Sequence, residues 1–192
     1  MEEQMLTQEL EQFLNSMETP FLPRWEALPE LELYMDQILV FMEKYLQLFA
    51  GDKEKVLTPA MVNNYVKLGL LPPPVKKKYS RGHVARLMTI CMLKQILPIS
   101  AISYLMSRWK EGAEMEATFN GLVEGQVDAL QETAQQTRLR LEESGEADEL
   151  ARLALYLSAQ ANAQRILADR ITALLQAQET AQAQAAEPAK KK

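Results

Sequence analysis

The sequence predicts an all-α fold with N-terminal helices, a compact basic middle segment and a C-terminal helical hairpin arm. Three observations predict it. Glycine is scarce, at 7 of 192 residues, while Ala, Leu, Glu, Gln and Met are plentiful; these five are strong helix formers. Apolar residues recur at alternating spacings of four and three along most of the chain, the period of one helix face. Prolines, glycines and small hydroxyl residues fall at the ends of those periodic segments, where helices start and stop.

The first element is a short amphipathic helix over 3–17, with Leu6, Leu10, Phe13, Leu14 and Met17 on one face. Thr19-Pro20-Phe21-Leu22-Pro23 ends it, because prolines three apart cannot continue a helix. Trp25 and Leu28 are expected to anchor this linker on the core. Pro29 then suits the first turn of a helix running to about Phe49. Tyr34, Ile38, Phe41, Tyr45 and Leu48 would form its inner face, with Gly51 as its stop.

Thr58 is a good N-cap and Pro59 a good first helical residue. A short helix should follow to Leu68, with Gly69 in the left-handed C-terminal position and Leu70 folded back onto it. Leu71-Pro72-Pro73-Pro74 must be extended. Val75-Lys76-Lys77-Lys78-Tyr79 comes next, and Ser80 caps a helix over 81–97, with Tyr79 and Val84 as a hydrophobic staple. That helix is apolar nearly all round, so it belongs at a domain centre. Pro98 ends it. Ser100 is expected to cap a last short helix to Lys110, with Ile99 stapled against Tyr104.

Composition changes at Gly112. Val123, Val127, Leu130, Ala134, Thr137 and Leu141 mark one long helix over 114–143. After Ser144-Gly145, Leu150, Leu153, Leu157, Leu167, Ile171 and Leu174 mark a second, to about Gln178. Gln160 and Gln164 sit in the same seam and weaken it. Two such helices with a short link predict an antiparallel hairpin. The expected units are therefore 1–18, an amphipathic helix; 20–110, the basic domain; 113–180, the arm; and 181–192, a low-complexity, frayed tail.

The net charge of −5 hides a segregation. Residues 1–52 hold 2 Lys/Arg against 11 Asp/Glu, residues 53–110 hold 11 against 1, and residues 111–192 hold 8 against 14. A local basic field in an acidic protein is the footprint of a polyanion site. The alternative is internal, with the basic block docking on its acidic flanks. Within the block, a short helix bears Asn63, Asn64 and Lys67 on its expected outer side. Asparagine can pair bidentately with adenine in a major groove. Lys76, Lys77 and Lys78 can neutralise phosphates.

The run from Leu57 to Leu105 resembles the DNA-binding half of the mercury-resistance-regulator (MerR-like) family. The resemblance rests on "NNYVKLGLLPPP", "KKYSRGHVARL" and "ILPISAISYL". It implies a winged helix-turn-helix-like fold, with Tyr65 at a phosphate-contacting position and Lys77, Lys78 and Tyr79 in a basic wing. Asn63-Asn64-Tyr65-Val66 stands where that family usually carries Arg-Tyr-Tyr-Glu. A narrower resemblance spans residues 20–110. "LPRWEALPELELYMDQIL" followed by "LTPAMVNNYVKLGLLPPPVKKKYSRGHVARL" is similar to a bacterial family of MerR-like proteins catalogued only as a domain of unknown function.

Other residues invite bland readings. His83, the single histidine, reads as a surface residue at a helix N-terminus. Cys91, the single cysteine, reads as inert core. No disulfide or cysteine-based metal site can be assembled within the chain. No phosphate-cradling glycine loop, nucleophile elbow or His/Asp cluster points to an enzyme. The start of the chain lacks the pattern of a secretory signal, and no apolar run approaches a membrane span. A cytoplasmic protein without catalytic residues, metal or cofactor is expected.

The resulting expectation is a sequence-specific binder of double-stranded DNA and transcriptional regulator. Its candidate contacts are Thr58, Asn63, Asn64, Tyr65, Lys67, Lys76, Lys77, Lys78, Tyr79 and Arg81. The arm is expected to form a homodimer, since an apolar seam needs a partner. It could instead pack on its own basic domain, or hold a small effector. The competing expectation is a protein-interaction adaptor on an inherited winged-helix scaffold, without specific DNA readout.

Overall fold

The computed structural model describes the backbone of residues 2–19, 22–50, 55–144 and 147–186. Among these described residues seven α-helices run in chain order. They are α1 (Glu2–Glu18), α2 (Met35–Leu46), α3 (Pro59–Lys67), α4 (Arg81–Leu93), α5 (Ile99–Ser107), α6 (Ala113–Ser144) and α7 (Ala147–Ala186). Among the described residues there is no extended sheet, only two isolated antiparallel bridges, Leu33 with Tyr79 and Val75 with Lys78. The fold is all-α. Leu6, Pro20, Phe21, Gly51, Gly145 and the tail 187–192 lie outside the described side chains.

Helix α4 is the hub. Val84, Leu87, Met88, Ile90 and Cys91 on it are at most 1% exposed. Each large apolar side chain buried there contributes about 1.5–3 kcal/mol. Around α4 pack Ile38, Met42 and Leu46 of α2, Val62 and Tyr65 of α3, Ile102 and Met106 of α5, and Phe119 and Val123 of α6. The first turns of the long helix therefore share the core of the basic segment. The core does not stop at residue 110.

Several starts and faces differ from expectation for identifiable reasons. Helix α2 begins at Met35, not Pro29. Leu33 instead exchanges two backbone hydrogen bonds with Tyr79 (2.9 and 2.8 Å), so 29–34 stays outside the helix. The Gln37 side chain accepts from the Tyr34 N–H (2.8 Å) and caps the delayed start. Its buried face is Ile38, Met42 and Leu46, with Phe41 and Tyr45 half-buried. In α1, Leu14 is buried while Phe13 is exposed. Helix α4 ends at Leu93, and Lys94 turns its ammonium onto the Val56 carbonyl (3.0 Å). Pro98, not Ser100, caps α5. Its extended backbone suits a cap, and its carbonyl accepts from Ala101 and Ile102.

Helices α6 and α7 form the antiparallel hairpin. Near the link the Arg140 guanidinium lies 3.8 Å from the Tyr156 ring centre. At the far end Arg108, after α5, pairs with Glu179 of α7. Helix α1 lies along α6, held by Arg138, whose guanidinium binds Glu11, Glu18 and Asn15. The distal half of α7 turns Thr172 and Ala168 to the core. Leu167, Ile171 and Leu174, expected in one seam with the inner leucines, face solvent at 50–60% exposure. The helix extends through Ala186, six residues into the expected tail.

Candidate nucleic-acid interface

Helix α3 forms as its end residues dictate. The Thr58 hydroxyl accepts from the Met61 N–H (3.3 Å) and Pro59 opens the first turn. Gly69 takes φ +73°, a conformation that costs an L-residue about 1–2 kcal/mol. The Leu70 N–H then closes on the Tyr65 carbonyl (3.0 Å) and its side chain is buried. Val62 and Tyr65 face inward; Asn63, Asn64 and Lys67 are exposed on the other side. No acidic residue lies on α3.

The proline loop leads into a two-residue hairpin turn. Val75 and Lys78 exchange both backbone hydrogen bonds (3.1 and 2.9 Å). Lys76 and Lys77, at the tip, have φ of 51° and 63°. Positive φ at both tip positions is the type I′ pattern, which normally selects Asn-Gly. Two lysines here put both ammonium groups at the most projecting point of the loop and strain the backbone to do so. The chain from Leu71 to Val75 spans at most about 14 Å, so the hairpin stays close to the end of α3.

The hairpin is anchored from behind. Tyr79 is 3% exposed and its backbone pairs with Leu33. Its ring meets the His83 ring edge-on, 5.6 Å between centres. His83 Nδ1 accepts from the Ser80 N–H (3.1 Å) and faces the Ser80 hydroxyl (2.8 Å). Its Nε2–H then donates to the Pro72 carbonyl (3.2 Å). One neutral imidazole thus caps α4 and fixes the proline loop. It is a half-buried strut rather than a surface residue. Burial lowers its pKa, against the raising effect of the Pro72 and Pro73 carbonyls.

The sequence candidates divide. Asn63, Asn64, Lys67, Lys76 and Lys77 are exposed and on α3 or the hairpin tip. Lys78 lays its ammonium 5.5 Å from the centre of the Tyr34 ring. Thr58 is occupied as a cap. Tyr65 is 5% exposed, and burial, with Cys91 nearby, pushes its phenol up to about 12, so it stays neutral. Tyr79 is likewise core. Arg81 is turned inward: Nη2 lies 3.2 Å from Glu30, and the guanidinium sits 5.8 Å from the Trp25 ring centre.

The basic block meets both of its readings. Arg81, Arg86, Arg108 and Lys110 pair with Glu30, Glu111, Glu179 and Glu114, all from the acidic flanks. Lys67, Lys76 and Lys77 have no carboxylate within ion-pair distance among the described residues. Apart from exposed Lys55, and Lys94, which sits on the Val56 carbonyl, the remaining described cations of the block, Lys67, Lys76, Lys77 and Lys78, lie on α3 and the hairpin. Glu30 and Glu32, both exposed, stand beside it on the segment paired with Tyr79. Tyr34, half-exposed under Lys78, is a member of this surface that its local sequence did not mark; it comes from 44 residues upstream.

Cys91 is fully buried, and burial pushes its thiol up to about 11, against the lowering effect of Lys94. Among the described residues no group of His, Cys, Asp and Glu is placed to hold a metal ion. Among the described residues no helix is long and apolar enough to cross a membrane.

A capped helix, a proline-stiffened connection and a basic hairpin define a helical protein with one concentrated cationic surface. The chain belongs to the family described as "Domain of unknown function (DUF1836)", whose profile matches residues 23–122. That span takes in the whole candidate surface and the first turns of α6. No curated protein and no solved structure matches the chain.

Proposed function

We propose that this protein is a cytoplasmic, sequence-specific binder of double-stranded DNA, a transcriptional regulator of the MerR-like winged helix-turn-helix type. The observation that carries the reading is the exposed lysine pair at the strained hairpin tip, a short chain length past the end of α3. Helix α3 would enter the major groove with Asn63 and Asn64 toward base edges. Lys67, Lys76 and Lys77 would hold the flanking phosphates, setting the register rather than reading sequence. The hairpin would act as the wing. Tyr65, Tyr79 and Arg81 support the surface from within and leave the phosphate contacts to the exposed lysines.

The exposed stripe of Leu167, Ile171 and Leu174 supports a homodimer through α7. Residues spaced i, i+4 and i+7 form a coiled-coil seam. Two α3 helices would then address half-sites about one DNA turn apart. Three lysines from each protomer make about six phosphate contacts, so the log–log salt slope of binding should be about −5. Titrating a duplex DNA pool between 50 and 200 mM salt tests this. An affinity loss of about a thousand-fold supports the reading; a salt-independent affinity refutes it.

The adaptor reading keeps two observations in its favour. Glu30 and Glu32 border the hairpin, and four cations of the basic block are already spent on carboxylates. Absence of DNA binding at low salt, with the dimer intact, would select it.

A further inference from the structure

Where α4, α5 and α6 meet lies a cavity of about 170 Å³ that the DNA reading does not use. Its floor is buried: Thr89 of α4 and Ile102 and Met106 of α5. Leu105, Trp109 and Leu122 form a half-exposed rim, and exposed Thr118 marks the side that reaches solvent. The two threonine hydroxyls do not make it polar. Thr89 already donates to the Ala85 carbonyl (3.0 Å) and Thr118 to the Glu114 carbonyl (2.8 Å).

The pocket opens to solvent at Thr118, but water inside it would find no free polar partner, and apolar cavities of about this size take benzene-sized guests. The walls offer a guest dispersion contacts and no charge. Arg86 is not a lining residue: its guanidinium lies 5.8 Å from the Trp109 ring centre, donates to the Met106 carbonyl (3.4 Å) and pairs with Glu111. We propose that this cavity is a binding site for a small, uncharged apolar or aromatic molecule of about the size of toluene.

Its place gives the site a consequence. The floor belongs to α4 and α5, which share one core with α3, and Thr118 and Leu122 belong to the arm. Gly112, at φ +86°, is the joint between them. A guest would add to the contacts by which Phe119 and Val123 already seat the arm in the core of the domain. Any effect of those contacts on DNA binding, unlike the binding of the guest itself, rests on the dimeric DNA-binding reading.

The test is fluorine NMR of the full chain labelled with fluorotryptophan, titrated with toluene and, separately, with benzoate. The chain has two tryptophans. Trp109 lines the cavity, and Trp25, packed against Phe119, serves as the internal control. The expected result is a saturable shift of the Trp109 signal with toluene alone. Leu105→Phe and Leu122→Phe, which fill the space from different helices, should each abolish it while circular dichroism reports an intact fold. If one variant fails to fold, the other still decides. No saturable shift in the wild type, an equal response to benzoate, or an unchanged response in a folded, filled variant would each overturn the site. Loss of DNA binding elsewhere would leave these outcomes unaffected.

Discussion

Replacing Lys76-Lys77 by Asn-Gly should stabilise the protein and, on the proposed function, weaken DNA binding at the same time. Both lysines sit at positive φ, 51° and 63°, which costs an L-residue about 1–2 kcal/mol each. Asn tolerates that region and Gly adopts it freely. Part of the relief is offset, because glycine also gains freedom in the unfolded chain, worth about 0.4–1 kcal/mol. A net stabilisation of about 1 kcal/mol remains, or about 2–4 °C in Tm for a chain of this size. The hairpin bonds between Val75 and Lys78 are backbone bonds and survive the exchange. If the proposed dimer holds DNA as described, the same substitution removes two of the proposed phosphate contacts per protomer, lowering the log–log salt slope by about two for each protomer. Thermal melting and fluorescence anisotropy on a duplex, across a salt series, read the two effects. A destabilised variant would refute the type I′ geometry. A stabilised variant with wild-type affinity and slope would refute the role of the tip.

Three further outcomes are expected. The folded His83 pKa lies below its ordinary 6.5, so the unfolded chain takes up the proton first as pH falls. Its contribution is complete above about pH 6.5 and is lost as pH drops through the window below. His83→Gln, which can keep the acceptor for Ser80, should shrink the Tm difference between neutral and mildly acidic buffer; an unchanged difference would remove His83 from that role. Ile171→Glu puts a charge in the exposed α7 stripe and should convert a dimer to a monomer in sedimentation without changing helical content, whereas a dimer that persists would exclude this stripe as the interface. Arg138→Leu removes the guanidinium that ties Glu11, Asn15 and Glu18 to α6. Faster hydrogen exchange confined to α1 is expected, and unchanged α1 protection would show that apolar packing alone holds it.

What the sequence made legible was what short-range chemistry determines. Thr58-Pro59, Gly69 and Ser80 set the ends of α3 and the start of α4, and each acts within a turn of its own position. The burial of α4 followed from its uniform apolarity. The late start of α2 was hidden because it depends on Leu33 pairing with Tyr79, 46 residues away. The fates of the arginines were hidden for the same reason. Arg108 meets Glu179 across 71 residues, and Arg81 is drawn inward by Glu30 and Trp25. A count of charges located the basic block but could not separate cations used internally from those left for a partner. In α7 the heptad pattern was visible, yet which half faces the core depends on where Thr172 and Ala168 meet the rest of the fold. The hairpin strain at Lys76 and Lys77 is a backbone property and has no compositional sign.

The central claim is sequence readout by the outward face of α3. The most direct test is selection of duplex fragments from a random library by the full chain at physiological salt, repeated with Asn63→Ala and Asn64→Ala. The account predicts a shared, roughly palindromic motif that loses definition at particular positions in the variants, each lost bidentate pair relaxing discrimination by about 1–3 kcal/mol. A featureless collection from the wild type, or the same motif from all three proteins, would contradict it.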